Sequence, residues 1–198
     1  MRADATRNIE AVLQTGARLL AEDRGTSIAT IAAEAGVDRR TVYRRFAHRE
    51  ALLDAVIHAK LEAIDGVLGD ARLESAPVAV ALHRFVEGII AVVRRYPIEL
   101  DPVHGDAESY ARRLNQRERV AAFIQRAIDE GLVRPDLPDG LAVALLNQIV
   151  ALLARQFRDH DPAEAADIAV DTLLRGIGQS SVSSGFGYGD RAPKSLVG

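Results

Sequence analysis

The chain has 198 residues, 48% hydrophobic and 27% charged, so it is apolar enough to bury a core, and it has no run of about 18 uncharged apolar residues to cross a bilayer. The absence of cysteine removes disulfide scaffolds, thiol nucleophiles and thiolate metal sites together. The net charge of −3 conceals an asymmetry: residues 39–49 carry five arginines and no acid, which is +5 with histidine neutral and leaves −8 for the rest. A compact basic block on an otherwise acidic chain suits one anionic partner held at one place.

Taken in chain order, Met1 to Arg7 reach no apolar stretch before Asn8 and Glu10, which argues against a secretory signal and for a cytoplasmic protein without membrane association. Ile9, Val12, Leu13, Ala17, Leu19 and Leu20 share one helical face, predicting a helix over about 7–22 that ends near Gly25. Thr26-Ser27 offers an N-cap for a short helix over 28–35, and Gly36 sits where a positive φ stops it. Asp38 caps a second short helix over 39–46, with Val42 and Phe46 inward. Pairing the two across the glycine turn buries Ile31, Ala35, Val37, Val42 and Phe46, and it turns Arg39, Arg40, Tyr43 and Arg44 outward.

After Ala47-His48 a long helix over 49–68 follows from Leu52, Leu53, Val56, Ile57, Leu61, Ile64 and Leu68, and 69–77 reads as a loop. Val78 to Arg95 is helical until Pro97, and 97–106 reads as a loop or one short helix. Further helices are expected over 107–130, 140–157 and 162–177. The segment 140–157 is apolar on nearly every side, which predicts cover from its own core and from a second subunit. Gly/Ser-rich residues from 178 onward read as a flexible end. The whole is an all-α fold: an N-terminal three-helix helix-turn-helix domain over 1–60, a helical ligand-binding and dimerisation domain over 61–178, and a tail over 179–198.

A helix presenting Arg39, Arg40, Thr41, Tyr43, Arg44 and Arg45 suits duplex DNA. Guanidinium forks bind phosphates or guanine edges, and the threonine methyl and tyrosine ring contact thymine methyls or the sugar-phosphate. Arg49 opens the next helix, where its charge and the backbone N–H groups can hold a phosphate together. The alternative is an ordinary solvated basic face on a helical small-molecule carrier or interaction protein that does not bind DNA. Enzyme signatures are missing: His58-Ala-Lys-Leu-Glu lacks the HExxH spacing, and neither GxSxG nor GxxxxGK[ST] occurs. No catalytic residue, metal site or cofactor is expected.

The run Ile31-Ala32-x-x-Ala35-Gly36-Val37-x-x-x-Thr41-Val42-Tyr43-x-x-Phe46-x-x-Arg49-x-x-Leu52-Leu53 resembles the DNA-binding domain of the tetracycline-repressor (TetR) family of bacterial transcriptional regulators, over roughly residues 7–60. The resemblance implies that 26–46 is the helix-turn-helix. It also implies that Arg39, Arg40, Thr41, Tyr43, Arg45 and Arg49 lie where family members touch bases or phosphates, and that Ser27 lies where the first of the two helices meets the backbone. Asp38 departs from the more usual serine, Arg49 from the common lysine, and the five residues between Gly25 and Ile31 make a short approach to the motif. The resemblance further implies a homodimer, a palindromic double-stranded operator, and repression relieved by a small-molecule effector. His83, Tyr110, Asn115, Asn147, Gln148 and Gln156 are polar residues on or near faces expected to be buried. Each is a candidate to orient that effector, the alternative being a core or interface polar group with local partners.

Overall fold

The computed structural model describes residues 2–100 and 106–178, with side chains from residue 6 onward. The expected tail and residues 101–105 of the 97–106 connection lie outside the described residues. Among those described there are eight helices and no strand: α1 (Arg2–Glu22), α2 (Ile28–Glu34), α3 (Arg39–Arg45), α4 (Arg49–Ala71), α5 (Val78–Arg95), α6 (Ala107–Asp129), α7 (Leu141–Gln156) and α8 (Pro162–Ile177). One isolated bridge ties Val133 to Gly178. None of the described helices is long and apolar enough to cross a membrane.

The helices follow the apolar periodicity, with two ends displaced. α1 starts at Arg2 rather than near residue 7, because Ala3 and Ala5 are strong helix formers although they extend no apolar stripe. α4 runs through Gly66 and Gly69 to Ala71, and the left-handed residue that ends it is Arg72, at φ 52°. Propensity alone would stop the helix at Gly69, but Leu68, Ala71 and Leu73 are all buried, and their packing carries the helix past the glycine.

Side chains bury into two apolar clusters. One gathers α1, α2, α3 and the first half of α4 through residues such as Leu20, Ile31, Val42, Phe46 and Leu52. The other gathers the end of α4 with α5 to α8 through Leu68, Leu82, Phe85, Phe123, Leu146 and Leu173. α4 serves both, and Ile64 and Val67 pack against each. The far end of α5 also crosses over, since Val92, Tyr96 and Ile98 complete the N-terminal cluster. Lys60 is buried at this junction and donates from Nζ to the Ile98 carbonyl at 2.6 Å. Arg94 donates to the carbonyls of Leu153, Phe157 and His160, which closes the C-terminus of α7.

Candidate nucleic-acid interface and ligand cavity

The α2-turn-α3 unit is capped at each end. The Ser27 hydroxyl accepts from the Thr30 N–H at 3.1 Å and starts α2. Its end is a Schellman turn: Gly36, at φ 66°, donates to Ala33, and Val37 donates to Ala32 at 3.0 Å. Asp38 then accepts from the N–H groups of Arg40 and Thr41 at 2.9 and 3.2 Å and starts α3. His48 does the same for α4, its Nδ1 accepting from Ala51 at 3.2 Å. With Ile28, Ile31, Ala32, Val42 and Phe46 buried beneath it, the orientation of α3 is set by packing as well as by caps.

That orientation leaves Arg39, Arg40, Tyr43, Arg44 and Arg45 exposed and Thr41 half-buried. The Arg39 guanidinium stacks on the Tyr43 ring, 5.1 Å from its centroid. Among the described residues, the side chains of Arg40, Arg44 and Arg45 have no ion-pair or hydrogen-bond partner. The Asp38 carboxylate is directed into the helix N-terminus, so no acid on α3 neutralises the face. Arg49 differs: its Nη2 lies 3.1 Å from Glu50 Oε1. Backbone hydrogen bonding and the Arg49 guanidinium hold the Glu50 carboxyl below the usual carboxylate range. A phosphate at the start of α4 must compete with that pair.

Behind this face, one polar joint links α1 to the end of α5. Glu10 Oε1 accepts from Arg95 Nη2 and Tyr96 Oη, each at 2.6 Å, and from Gln14 Nε2 at 2.8 Å. Burial and the facing Glu10 carboxylate push the Tyr96 hydroxyl up to about 12. Burial works to raise the Glu10 carboxyl, but the donors Tyr96, Gln14 and Arg95 outweigh it and hold the group below its ordinary value.

A cavity of about 250 Å³ opens among α4, α5, α6 and α7. Ile64, Phe85, Ile89, Leu100, Val120 and Val143 form its apolar walls, and Arg113, Gln116, Arg117 and Asn147 are its polar lining. Gln116 donates to the Leu61 carbonyl at 2.9 Å and to Asp65 at 2.6 Å, while Arg113 Nε donates to the Ser109 carbonyl at 3.3 Å. Asp65 also accepts from Arg112.

Of the residues expected to orient a ligand, only Asn147 reaches this cavity. His83 pairs with Asp167 at 2.9 Å, joining α5 to α8 near the surface. Tyr110 is 59% exposed and borders a shallow depression with Leu114. Asn115 lies along a separate groove beside Glu74 and Arg119, and Gln148 and Gln156 are exposed on α7. The polar lining residues that the sequence reading did not single out are Arg113, Gln116 and Arg117. A signal existed: Ser109, Arg113, Gln116, Val120, Phe123 and Ala127 recur at spacings of four and three, so the inner stripe of α6 begins with polar residues.

Residues 12–56 match the family model of bacterial regulatory proteins, tetR family. The fold resembles that of the TetR-like transcriptional regulator LfrR from Mycobacterium smegmatis, at 26% identity and a TM-score of 0.67, covering 88% of this chain and 98% of that one. LfrR in complex with proflavine matches at 25% identity and a TM-score of 0.67, over 87% of this chain and 97% of that one. The ketosteroid transcriptional regulator KstR2 of Mycobacterium tuberculosis shares the fold at 21% identity and a TM-score of 0.67, over 85% of this chain and 94% of that one. No curated protein matches the chain.

Proposed function

We propose that this chain, a TetR-family transcriptional regulator by its N-terminal helix-turn-helix, represses transcription from a palindromic operator in the cytoplasm and releases it when a small molecule fills the cavity among α4 to α7. The observation that carries this reading is the α3 face: four guanidiniums on a doubly anchored helix, with no acid to neutralise them. A surface with that charge and rigidity suits the major groove, where Arg39, Arg40, Arg44 and Arg45 reach base edges or phosphates and Tyr43 and Thr41 add apolar contacts. Ser27 and Arg49 flank it as backbone contacts. The head that carries this face ends within α4 near residue 60, and the remainder binds effector and dimerises.

Two recognition helices must sit roughly 34–36 Å apart, or a multiple of that, to enter successive grooves. The surface for a second copy is the outer side of α7 and α8, where Leu152, Phe157 and Ile168 are exposed. An effector acts through differential affinity for two spacings. Its route is short: Ile89 lines the cavity, and the same helix ends in the Arg95–Tyr96 grip on Glu10 of α1. The proflavine complex of the similar LfrR supports a small molecule as effector.

The test selects bound duplexes from a random pool and follows binding by anisotropy across a salt series. The native chain is expected to select a palindrome and to show a steep negative slope of log K on log salt. Arg40→Glu with Arg44→Glu removes up to four phosphate contacts per dimer. That flattens the slope by about 3 to 4 and lowers affinity at least a hundredfold. Undiminished binding by this variant, with its helix content intact, would overturn the assignment.

A further inference from the structure

We infer that Arg40 and Arg44 each read a guanine, so that an operator half-site carries two G·C pairs about two base pairs apart, while Arg39, Tyr43 and Arg45 hold the flanking sugar-phosphate. The inference rests on the reading of α3 as the helix that enters the groove and adds the bases it selects. At about 100° per residue, Arg40 and Arg44 lie about 160° and 200° round α3 from the buried Val42, so both stand at the pole opposite the packed face. Arg39 and Tyr43 lie at about 60° and 100° on one flank, where the guanidinium stacks on the ring 5.1 Å from its centroid, and Arg45 lies on the other. An α-helix nearly fills a major groove about 12 Å wide, so its pole faces the base edges and its flanks face the two backbones. The carboxylates nearest in the chain are engaged: Glu34 accepts from Arg18 at 2.8 Å, Asp38 accepts from the N–H groups that open α3, and Glu50 pairs with Arg49. Arg40 and Arg44 have no ion pair or hydrogen bond among the described residues, so in the groove their N–H groups need acceptors from the duplex.

The chemistry of the fork names the base. A guanidinium offers donors and no acceptor, and guanine alone presents two adjacent acceptors, O6 and N7, to the major groove. Adenine sets a donor beside its N7, cytosine offers a donor, and thymine sets a methyl beside its O4. Four residues of helix advance about 6 Å and successive bases about 3.4 Å, which separates the two guanines by about two base pairs. Both guanidiniums also displace counterions, as any cation held at the duplex does, so the salt slope does not distinguish base reading from phosphate contact, whereas the selected sequence does.

The experiment selects duplexes from a random pool with the full chain and with single glutamine variants at four exposed positions of α3. The native chain is expected to select half-sites with guanine, on either strand, at two positions about two base pairs apart. Arg40→Gln should replace the guanine preference at one of them by adenine, whose N6 and N7 suit an amide, and Arg44→Gln should do so at the other. Arg39→Gln and Arg45→Gln should weaken binding to every duplex alike and leave the selected sequence as it was. Replacing one selected guanine by 7-deazaguanine, which lacks the N7 acceptor, should cost the native chain about tenfold in affinity and the matching glutamine variant less than about threefold. Three results would each overturn the inference while leaving the regulator reading intact: a selected palindrome without guanines at that spacing, an unchanged sequence from Arg40→Gln or Arg44→Gln, or equal losses for native chain and variant on the modified duplex. A change of sequence from Arg39→Gln or Arg45→Gln would overturn the division between pole and flanks. A native chain that selects no sequence at all would refute both the inference and the reading beneath it.

Discussion

Removing the Glu10 carboxylate should expose how strongly the DNA-facing helices are tied to the rest of the chain. Tyr96 is 3% exposed, and its hydroxyl donates to Glu10 at 2.6 Å, so Glu10→Ala leaves a buried donor without its acceptor. An orphaned buried hydroxyl together with the lost Arg95 ion pair costs about 2–3 kcal/mol. Tyr96→Phe removes the donor and leaves Glu10 with Arg95 and Gln14, costing about 1 kcal/mol. In the double variant nothing remains orphaned, so the two losses should fall short of their sum by about 1–2 kcal/mol. Urea unfolding followed by far-UV circular dichroism measures all four corners of this cycle.

The pH dependence supplies a second arm. The hydroxyl of Tyr96 is raised from 10.0 to about 12, so its contribution is complete below pH 10 and is lost as pH climbs toward 12. The Glu10 carboxyl is lowered, so its contribution is present above the ordinary carboxylate range and is lost in acid. Two results would refute the joint: losses that add within about 0.3 kcal/mol, or a stability gap between the native chain and Tyr96→Phe that stays constant as pH rises from about 9 to 12.

Three further substitutions probe the junction and the packing between α4 and α5. Burial, aided by Arg155 and opposed by Glu99, lowers Lys60 from 10.5 to about 8, so burying its charge costs stability below pH 8, and that cost fades as pH rises to 10.5. Lys60→Met should therefore stabilise the fold at pH 7 by about 1–2 kcal/mol after losing the bond to Ile98, with the gain shrinking by pH 10; urea midpoints at the two pH values check it. At Gly88 an added Cβ would lie 2.6 Å from a methyl of Val67, a stiff β-branched side chain, so Gly88→Ala should lower the melting temperature by about 3 °C or more. Gly66→Ala, in the same region but with nothing within 4 Å, should raise the melting temperature, and scanning calorimetry separates the two.

Local chemistry made much of this molecule readable in the chain. Ser27, Gly36 and Asp38 stop and start helices through their own side chains or φ angles, and each acts as its residue type requires. The outward set on α3 follows from the inward pair Val42 and Phe46, since a helix two turns long has little freedom once one face is buried. The same reasoning misplaced the end of α4 because helix propensity at Gly69 is worth about 1 kcal/mol, less than the burial of Leu68, Ala71 and Leu73.

Periodicity identified α6 as a helix but did not single out its inner face at the N-terminal half. Tyr110 and Asn115 each sit one residue from the inner positions Ser109 and Gln116, and one residue is about 100° of rotation, enough to turn a side chain from cavity to solvent. Helix type, caps and the basic face of α3 were thus set by residues close together in sequence. Which polar groups line the cavity, how Glu10 meets Arg95 and Tyr96, and how Lys60 reaches Ile98 depend on partners far apart in the chain, and only the packing of α4, α5 and α6 against one another brings them within bonding distance.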